Sequence, residues 1–284
     1  MEKGFNYNLT DTILCVDNVS SGYGDKIILK DINIIEKNIV REGFKNTGQV
    51  IAILGPSGRG KSTLFKVLTG LKKPKTGSVL ISDLTTEDID DAKEVEEGDV
   101  GFVDQKYTQF RHKTVLDICK YALRKSKLTN SEKHQKIEHY LNEWNLIEHK
   151  DKYPNELSGG QRQRTAIIEQ LLSDKHFFIF DEPFSGLDIV NIDKFKKAFE
   201  KIQSDNEYNT IIFSTHDVRL ALELADSIYV IGRPEGVEDY STVIKHYDLK
   251  ALGLAWRPYS MQHEEVYKDI FNVFVMSETK RKIS

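Results

Sequence analysis

The sequence has few cysteines and no long apolar stretch, and each of these absences excludes a class of protein. Its two cysteines, Cys15 and Cys119, lie among apolar residues. This setting favours reduced, packed thiols over a disulfide or a metal pair, and it fits the cytosol. The longest apolar runs, such as 177–180 and 228–231, are strand-sized, whereas a membrane-spanning helix needs about 18 apolar residues. We therefore expect no spanning segment, and no signal peptide, because no apolar region follows residues 1–6.

The sequence also lacks an excess of charge of either sign. Its 40 lysines and arginines nearly balance its 44 aspartates and glutamates, which leaves a formal net charge of −4. A protein that attracts nucleic acid or anionic lipid through its overall charge carries a positive excess. We therefore expect no nucleic-acid partner. With 39% hydrophobic and 30% charged residues, the composition is typical of a soluble globular protein of one large or two small domains.

A glycine-rich loop directly after an apolar run is the strongest feature that the sequence does contain. The run is Ile51–Leu54, and the loop is Gly55-Pro-Ser-Gly-Arg-Gly-Lys-Ser62. It matches the pattern G-x-x-x-x-G-K-[ST], the phosphate-binding loop that joins a buried strand to a helix. Residues 63–70 have the pattern of that helix, whose positive N-terminal end would face the phosphates. The sequence therefore predicts a site for a nucleoside triphosphate.

Each residue type that this pattern specifies has a chemical role in binding phosphate. Gly55, Gly58 and Gly60 let the backbone turn tightly, so that successive N–H groups point at phosphate oxygens. Lys61 can reach the β- and γ-phosphates. Ser62 can place its hydroxyl on Mg²⁺. The expected ligand is therefore a nucleotide with its magnesium ion.

Two carboxylates follow a short apolar strand further along the chain. The strand is Phe177–Phe180, and Asp181 and Glu182 come directly after it. In a parallel sheet, ligands bind at the carboxyl ends of buried strands. Asp181 can hold Mg²⁺, and Glu182 can orient an attacking water or accept its proton. The alternative is a solvated acidic turn, which the four preceding apolar residues disfavour.

Three further features have both a structural and a functional interpretation. His216 follows the predicted strand 209–215, where it can contact a γ-phosphate, although a lone histidine is usually structural. Tyr23 lies in a predicted turn at 21–24, either packed on the sheet or as a platform for a nucleotide base. Gly159-Gly160 precedes a predicted helix as an ordinary cap or as an anion-binding nest. The residues alone leave these alternatives open.

The order of the predicted elements is that of an α/β protein with a helical insertion. Short strands are predicted at 12–16, 32–35, 79–81, 100–103 and 227–231, the last of these being the final core strand. Residues 36–48 are expected to form a surface loop, and the acidic residues 85–99 a solvated linker. Helical periodicity covers 114–148, with a capping box at Thr129–Glu132, and a later helix is expected at 264–273.

Together these motifs resemble the ATP-binding cassette (ABC) ATPase family over about residues 12–232. The motifs that carry the resemblance are, in chain order, the phosphate-binding loop, Gln105, Leu157-Ser-Gly-Gly-Gln161, Asp181-Glu182, Ser185-Gly-Leu-Asp188 and His216. In that family two cassettes enclose two ATP molecules head to tail. Each ATP site uses the phosphate-binding loop of one subunit and the signature, here Leu157–Gln161, of the other.

The resemblance implies a role for each motif residue. The catalytic group would comprise Glu182 as the carboxylate, His216 as the γ-phosphate contact and Gln105 as a γ-phosphate sensor. Mg²⁺ would be held by Ser62, Gln105 and Asp181. Within one subunit, Tyr23 would stack on adenine, and the phosphates would be held by Gly55, Pro56, Ser57, Gly58, Arg59, Gly60, Lys61, Ser62 and Thr63. The partner's ATP would be contacted by Ser158, Gly160 and Gln161, with Asp188 at the dimer interface.

The resemblance also implies a fold and a set of partners. The expected fold class is α/β: a P-loop NTPase core with a mostly parallel sheet, an N-terminal antiparallel β subdomain and an inserted helical subdomain at about 105–160. The ATPase domain would span 12–232, and 233–284 would be a C-terminal extension. The family's importers imply an ATP-hydrolysing subunit whose dimer closure drives separate membrane permeases. A solute-binding protein would be reached through the permease, and the subunit would be cytoplasmic, on the inner face of the membrane.

The chain departs from the family pattern at three places. Glu169 stands where the family usually has arginine, which puts the packing of that helix in question. The loop at 36–47 is longer than in a minimal cassette. The tail 233–284 is unlike the regulatory barrel of sugar importers and is more similar to the short tails of nitrate, sulfonate and taurine importers.

The alternative function is a non-transport ABC ATPase that acts on DNA or ribosomes. Chromosome-maintenance members insert long coiled coils between the phosphate-binding loop and the signature, but Ser62 and Ser158 are too close in the sequence for such an insertion. Translation-factor members carry two cassettes, and excision-repair members carry zinc-finger cysteines that this chain lacks. Residues 153–158 look like those of importer cassettes, so transport is the favoured interpretation.

Overall fold

The computed structural model describes residues 7–41, 48–82, 92–104, 107, 109–173, 175–185, 189–255 and 257–279. The strands in these ranges are β1 (Tyr7–Tyr23), β2 (Lys26–Arg41), β3 (Gln49–Leu54), β4 (Thr76–Ser82), β5 (Ala92–Glu94), β6 (Gly101–Val103), β7 (Phe177–Phe180), β8 (Thr210–Thr215), β9 (Ser227–Gly232) and β10 (Thr242–Asp248). The α-helices are α1 (Lys61–Leu68), α2 (Val115–Ala122), α3 (Asn130–Glu143), α4 (Gly159–Leu172), α5 (Ile189–Asp205), α6 (Val218–Leu224) and α7 (Met261–Thr279).

The strands form two sheets that differ in the direction of their strands. One sheet has four antiparallel strands in the order β2-β1-β4-β5. The other has six strands in the order β10-β9-β3-β8-β7-β6, which run parallel except for β10. The predicted fold class is confirmed, with an antiparallel N-terminal sheet, a mostly parallel sheet and helices inserted between β6 and β7.

The central parallel strands are buried along their whole length. Every residue of β3, β7 and β8 is buried, as expected for strands that are covered on both faces. Val50, Ala52 and Leu54 pack on one face with the helical core, whereas Ile51 and Ile53 pack on the other with α1 and the antiparallel sheet. The two faces therefore hold β3 firmly, and β3 leads directly into the glycine-rich loop.

The inserted helices begin where the sequence places their caps. At α3, the Thr129 hydroxyl accepts from the Glu132 amide at 3.3 Å, and the Glu132 carboxylate accepts from the Thr129 amide at 2.7 Å. This confirms the predicted capping box. A second capping box, between Thr114 and Asp117, starts α2. None of the helices in the described ranges is both long and apolar enough to cross a membrane.

Residues 36–41 are not the surface loop that the sequence predicts, because they complete β2. Glu36 and Asn38 face the interior, where an apolar residue is usual in a strand, and this polarity hides the alternation. The Glu36 carboxylate lies 3.7 Å from the buried ammonium of Lys250, which comes from the C-terminal region. Burial of a charge is tolerated when an opposite charge accompanies it. The rest of the predicted loop, 42–47, lies outside the described residues.

Other strand and helix boundaries also differ from those that the sequence predicts. Part of the predicted acidic linker is β5, a polar edge strand that pairs with β4, while 83–91 are outside the described ranges. The hairpin turn lies at Gly24-Asp25, so that β1 continues to Tyr23. A further antiparallel strand, β10, pairs with β9, which was predicted to be the last core strand. The predicted C-terminal helix exists as α7 and is longer at both ends.

Glu169 does not interrupt α4, which continues to Leu172. Its carboxyl is largely shielded from water, and this burial raises its pKa to about 7, against a smaller opposing effect of the Arg124 charge. The neighbouring Cys119 thiol is buried, which raises its pKa to about 12, with a further contribution from Glu169. The departure from the family pattern therefore leaves the helix intact and places an acid with an unusual pKa in the helical core.

We expect Glu169→Gln to stabilise the chain at pH 8 and to change its stability little at pH 4.5. The carboxyl ionises near pH 7 in the folded chain and near pH 4.5 in the unfolded chain. Folding is therefore progressively disfavoured as the pH rises between these values, by at most about 3 kcal/mol. Glutamine keeps the shape and cannot ionise. The measurement is the free energy of unfolding in urea at both pH values.

The control for this prediction is Glu200→Gln, at an exposed position on α5. This substitution should leave the difference in the free energy of unfolding between pH 4.5 and pH 8 almost unchanged. An equal effect of Glu169→Gln at pH 4.5 and pH 8 would contradict the proposed shift.

Candidate active site

The glycine-rich loop joins β3 to α1 in the way that the sequence predicts. Gly58 and Gly60 have φ angles of 77° and 92°, a backbone region that side chains disfavour. A Cβ on Gly60 would lie only 2.8 Å from Leu29 Cδ2, so a larger residue would also collide with the antiparallel sheet. Ser57 and Gly58 are exposed at the tip, whereas the Arg59 side chain is buried. The antiparallel sheet therefore packs against one side of the loop, and the tip of the loop is exposed.

The Lys61 side chain is folded back across this loop. Its ammonium donates to the carbonyls of Gly55, at 2.7 Å, and Pro56, at 3.2 Å. It also lies 3.0 Å from Glu182 Oε1. Only 6% of the Lys61 side chain is exposed, and only 16% of that of Glu182. Because both charges are largely shielded from water, their attraction is stronger than that of a surface pair.

Glu182 has a constrained backbone at the end of β7. Its φ is 49°, which is uncommon for a residue other than glycine. Its amide donates to Ser214 Oγ at 2.8 Å, and that hydroxyl donates to Asp181 Oδ1 at 2.7 Å. Ser214 thus joins both carboxylate residues to β8. Ser214 was not predicted as a site residue, although a serine directly after the apolar run 211–213 was a signal that could have identified it.

His216 completes the cluster from the end of β8. Its Nδ1 lies 3.0 Å from Glu182 Oε2, so that Glu182 is placed between Lys61 and His216. The imidazole is 60% exposed. Glu182 and His216 follow the carboxyl ends of β7 and β8, and Lys61 follows the loop after β3. These three strands are adjacent in the order β3-β8-β7, and ligands of parallel sheets bind at such edges. The structure therefore brings together three of the residues that the sequence singles out.

The oxygen atoms around this cluster fit a magnesium ion. Mg²⁺ binds one or two carboxylates together with substrate phosphates and water. Asp181 supplies a carboxylate, and Ser62 has an exposed side chain in the first turn of α1. Within the described ranges, no group of three or more histidine, cysteine or acidic residues is arranged to hold a metal by itself. A metal that is shared with a phosphate fits this arrangement better than a protein cage does.

Tyr23 stands beside α1 with half of its surface exposed. Its hydroxyl lies 3.5 Å from Lys66 Nζ, and the Lys72 ammonium lies 4.5 Å from its ring centre. A hydrogen bond with Thr63 holds the pKa of this hydroxyl below its usual value. The ring is 51% exposed. Tyr23 is therefore not packed into the sheet, and a half-exposed aromatic ring lies next to the helix that follows the glycine-rich loop.

The signature residues form a separate, accessible helix start. Ser158 is the N-cap of α4, and its hydroxyl accepts from the Gln161 amide at 3.3 Å. The Gln161 side chain accepts from the Ser158 amide at 2.9 Å. This capping box has the pattern S-x-x-Q, which the sequence contains but which the sequence analysis did not identify. Gly160 lies in the first turn, so its amide belongs to the open end of the helix.

Two of the predicted site residues, Gln105 and Asp188, lie outside the described residues. Their predicted roles therefore stay predictions. The segment just after Gln105 is described at Tyr107 and from Gln109 onwards, and the segment after Asp188 begins with α5.

Comparison with known protein families agrees with this geometry. A family model described as ABC transporter matches residues 45–185. The sulfate/thiosulfate import ATP-binding protein CysA of Thermosynechococcus vestitus is 34% identical over 237 residues, covering 83% of this chain and 66% of that protein. The protein of the same name from Synechocystis sp. is 33% identical over 235 residues, covering 82% of this chain and 62% of that protein. This chain thus spans less than two thirds of the length of these relatives.

Solved structures with the same fold include ABC transporter subunits. The structure of cbiO1 from Clostridium perfringens, part of the ABC transporter complex cbiONQ, aligns with a TM-score of 0.68 and 26% identity, covering 95% of this chain and 97% of that one. An ATP binding subunit of an ABC transporter aligns with a TM-score of 0.66 at 22% identity, which shows the fold alone. The predicted resemblance to ABC ATPases is confirmed, whereas the importer-like character and the finer likeness to nitrate, sulfonate and taurine importers stay predictions. The chain belongs to the ABC transporter family, as one of its ATP-binding cassettes.

Proposed function

We propose that this chain is the ATP-binding and ATP-hydrolysing subunit of an ABC importer, which drives solute movement through separate membrane permeases. The observation that carries the proposal is the meeting of Lys61, Glu182 and His216 at the carboxyl edge of the parallel sheet. The names of the relatives, which are import ATP-binding proteins, support it. The test is ATP hydrolysis by the purified chain, compared with Glu182→Gln and Lys61→Ala.

ATP would bind by replacing the contacts that Lys61 makes in the structure. The ammonium is held by two carbonyls and the Glu182 carboxylate. The β- and γ-phosphates carry more negative charge than these partners, so they would attract Lys61 away from Glu182. The remaining phosphate contacts would come from residues 55–60, Ser62 and Thr63, with hydrogen bonds from the backbone amides of all of these except Pro56. ATP binding would therefore release the Glu182 carboxylate.

Hydrolysis would then use the released carboxylate. Glu182 would orient a water molecule and accept its proton as the water oxygen bonds to the γ-phosphorus and the bond to the bridging oxygen breaks. His216 would contact the γ-phosphate and stabilise its developing charge. Ser62, Asp181 and Gln105 would hold Mg²⁺, which neutralises phosphate charge when it is bound. Ser214 would keep Asp181 and Glu182 in place.

A second copy of the chain would complete each ATP site. Ser158, Gly160 and Gln161 form a helix start in which Ser158 is exposed and the other two residues are half-buried, and such a start attracts phosphate. In a head-to-tail dimer this helix start would contact the γ-phosphate that is bound to the other subunit, with Asp188 at the interface. In the part of the chain that the structure describes, neither the hydrogen bonds nor the ion pairs of Lys61, Glu182 and His216 include Ser158 or Gln161. This leaves these two residues available to a second subunit.

Adenine would stack on the exposed face of Tyr23. We expect Tyr23→Ala to weaken ATP binding by about 1–3 kcal/mol, because it removes the stacking surface. Tyr23→Phe and Tyr23→Trp should be tolerated, since both keep an aromatic face. The measurement is the dissociation constant of ATP by calorimetry. If all three variants lose affinity equally, Tyr23 acts through its hydroxyl contacts with Thr63 and Lys66 or through the packing of its ring, and not through stacking on the base.

The helical region offers a surface for the permease. Phe110 is exposed, and it forms an aromatic cluster with His112 and Tyr121, at centroid distances of 6.0 Å and 5.1 Å. Lys113 lies over the Phe110 and Tyr121 rings. We place the permease on this surface, which would hold the subunit on the cytoplasmic face of the membrane. A solute-binding protein would be contacted only through the permease. The net charge of −4 does not favour a nucleic-acid partner, and we propose none.

The domain organisation follows from the same proposal. The ATPase domain would comprise 12–232, with its helical subdomain at about 105–160, and 233–284 would be an extension. Within that extension, β10 pairs with β9 and Lys250 reaches Glu36 and Ser227, so it packs on the core. The alternative function on DNA or ribosomes is favoured by no observation.

A further inference from the structure

Tyr107 is joined by hydrogen bonds to the loop that carries Glu182. Its hydroxyl donates to the carbonyl of Pro183 at 3.4 Å and accepts from Gln163 Nε2 at 2.5 Å. The same Gln163 nitrogen donates to the Pro183 carbonyl at 3.2 Å. These three groups form a closed triangle in which the carbonyl accepts two bonds, and both N–H groups of the Gln163 amide are used. Pro183 directly follows Glu182, so the triangle holds the backbone next to the carboxylate.

The members of this triangle come from three separate parts of the chain. Tyr107 lies between β6 and α2, two residues after Gln105. Gln163 is on α4, the helix that begins at the signature, and only 6% of it is exposed. A second bond joins the same two segments, because Gln109 Nε2 donates to the carbonyl of Arg162 at 3.1 Å. A shift of α4 would therefore reach both Tyr107 and Pro183.

The backbone at both ends of the network is in a conformation that needs support. Tyr107 has a φ of 47°, and Glu182 has a φ of 49°. Such left-handed conformations persist in residues other than glycine when surrounding contacts hold them, and they cluster at functional sites. The hydrogen bonds to Pro183, together with the Ser214 bond to the Glu182 amide, supply this support.

We propose that Tyr107 and Gln163 are positioning residues, which fix Glu182 for hydrolysis and transmit the position of α4 to it. The inference rests on the proposed ATPase function. The hydrogen bonds of both side chains lead to each other and to Pro183, not to the Glu182 carboxylate, so their effect passes through Pro183. When the signature contacts the partner's ATP, Gln163 would move with α4. When the permease contacts the segment after Gln105, Tyr107 would move. Either movement would then alter the catalytic carboxylate.

The first test separates catalysis from binding. Tyr107→Phe removes only the hydroxyl, and Gln163→Leu removes both donors while keeping the side chain large. Each variant should lower kcat about threefold to tenfold, the rate equivalent of one hydrogen bond, with KM for ATP changed less than about twofold. The double variant should be slower than either single variant, because each single variant still leaves the Pro183 carbonyl one of its two bonds.

Two matched variants control for the loss of a buried hydrogen bond elsewhere. Tyr140→Phe removes a bond to Asp205 at 2.9 Å, and Gln203→Leu removes a bond to the Gly48 carbonyl at 3.2 Å. Both should lower stability to urea as the test variants do and leave kcat unchanged. If the test variants keep the wild-type kcat, or lose no more than the controls, the positioning role is overturned.

The second test does not depend on hydrolysis. The Glu182 amide donates to Ser214, and the Ser185 amide donates to the Glu182 carbonyl at 3.1 Å. Hydrogen exchange of these two amides, without nucleotide, should accelerate about threefold to tenfold in Tyr107→Phe and Gln163→Leu but not in the controls. Unchanged exchange would overturn the proposal. If the wild-type chain hydrolyses no ATP, the proposed function fails, and the exchange result still decides whether these residues position Glu182.

Discussion

Glu182→Gln should bind ATP, lose hydrolysis by about 10²–10⁴-fold and accumulate as a homodimer. Glutamine keeps the shape of the side chain but lacks the charge that orients water and accepts its proton. The structure adds an expectation for binding. Because Glu182 Oε1 lies 3.0 Å from the Lys61 ammonium, the substitution frees Lys61 for the phosphates. ATP affinity should therefore be unchanged or higher, and calorimetry measures it separately from turnover.

The dimer is the second outcome of this variant. With hydrolysis blocked, the Ser158–Gln161 helix start of each subunit should stay on the γ-phosphate that is bound to the other. Light scattering during size exclusion should show a monomer without nucleotide and a dimer with ATP and Mg²⁺. Adding Ser158→Arg should remove the dimer while ATP still binds, because the lost contact belongs to the partner's site.

Two results would contradict the roles assigned here. Wild-type hydrolysis by Glu182→Gln would show that another group activates the water. A monomer at saturating ATP would argue against the head-to-tail arrangement for the isolated chain. The Ser158→Arg variant in the wild-type background serves as a control, since it should bind ATP normally but hydrolyse it poorly.

Lys61→Ala should abolish measurable ATP binding. The ammonium would make charge-assisted contacts with two phosphates, each of which contributes about 1.5–3 kcal/mol. The structure predicts a second effect, because Glu182 would lose its nearest cation. Its carboxylate is only 16% exposed, so its charge would be poorly screened and would repel the phosphates. The measurement is calorimetric titration with ATP and Mg²⁺.

This second effect can be tested by a double variant. Lys61→Ala with Glu182→Gln should recover part of the lost affinity, because the repelling charge is removed. Such a difference between single and double variants measures the coupling of the two side chains. Lys73→Ala, at an exposed cation beyond the end of α1, is the control and should bind ATP normally. Wild-type affinity in Lys61→Ala would refute the assignment of the phosphate-binding loop.

Much of the site could be predicted from the sequence because its signals are local. The residue types and spacing of Gly55–Ser62 are sufficient to identify the phosphate-binding loop. The sequence also predicts the buried strand before it and the helix after it. The capping box at Thr129 is local in the same sense, since its partners are three residues apart. Asp181, Glu182 and His216 were recognised because each follows a run of apolar residues that ends at the ligand edge of a sheet.

Interactions between distant segments were not predictable in this way. Glu36 and Asn38 made the end of β2 look like a loop, because the partner that allows Glu36 to be buried, Lys250, comes from the far end of the chain. Ser214 looked like an ordinary strand residue until β8 was placed beside β7. Tyr107 and Gln163 carried no signal at all, since each is a common residue type without a motif.

The sequence by itself determined the ligand class and the fold class, because a phosphate-binding loop and its flanking elements are specified by neighbouring residues. Only the tertiary structure decided which groups meet. The ion pair between Lys61 and Glu182 depends on β3 and β7 lying on either side of β8. The link from Gln163 to Pro183 depends on α4 packing against the segment after β7, and the link from Gln109 to Arg162 depends on α4 packing against the segment after β6. Such contacts join residues that are far apart in the sequence, so no local motif or periodic pattern indicates them. They form only when the chain packs.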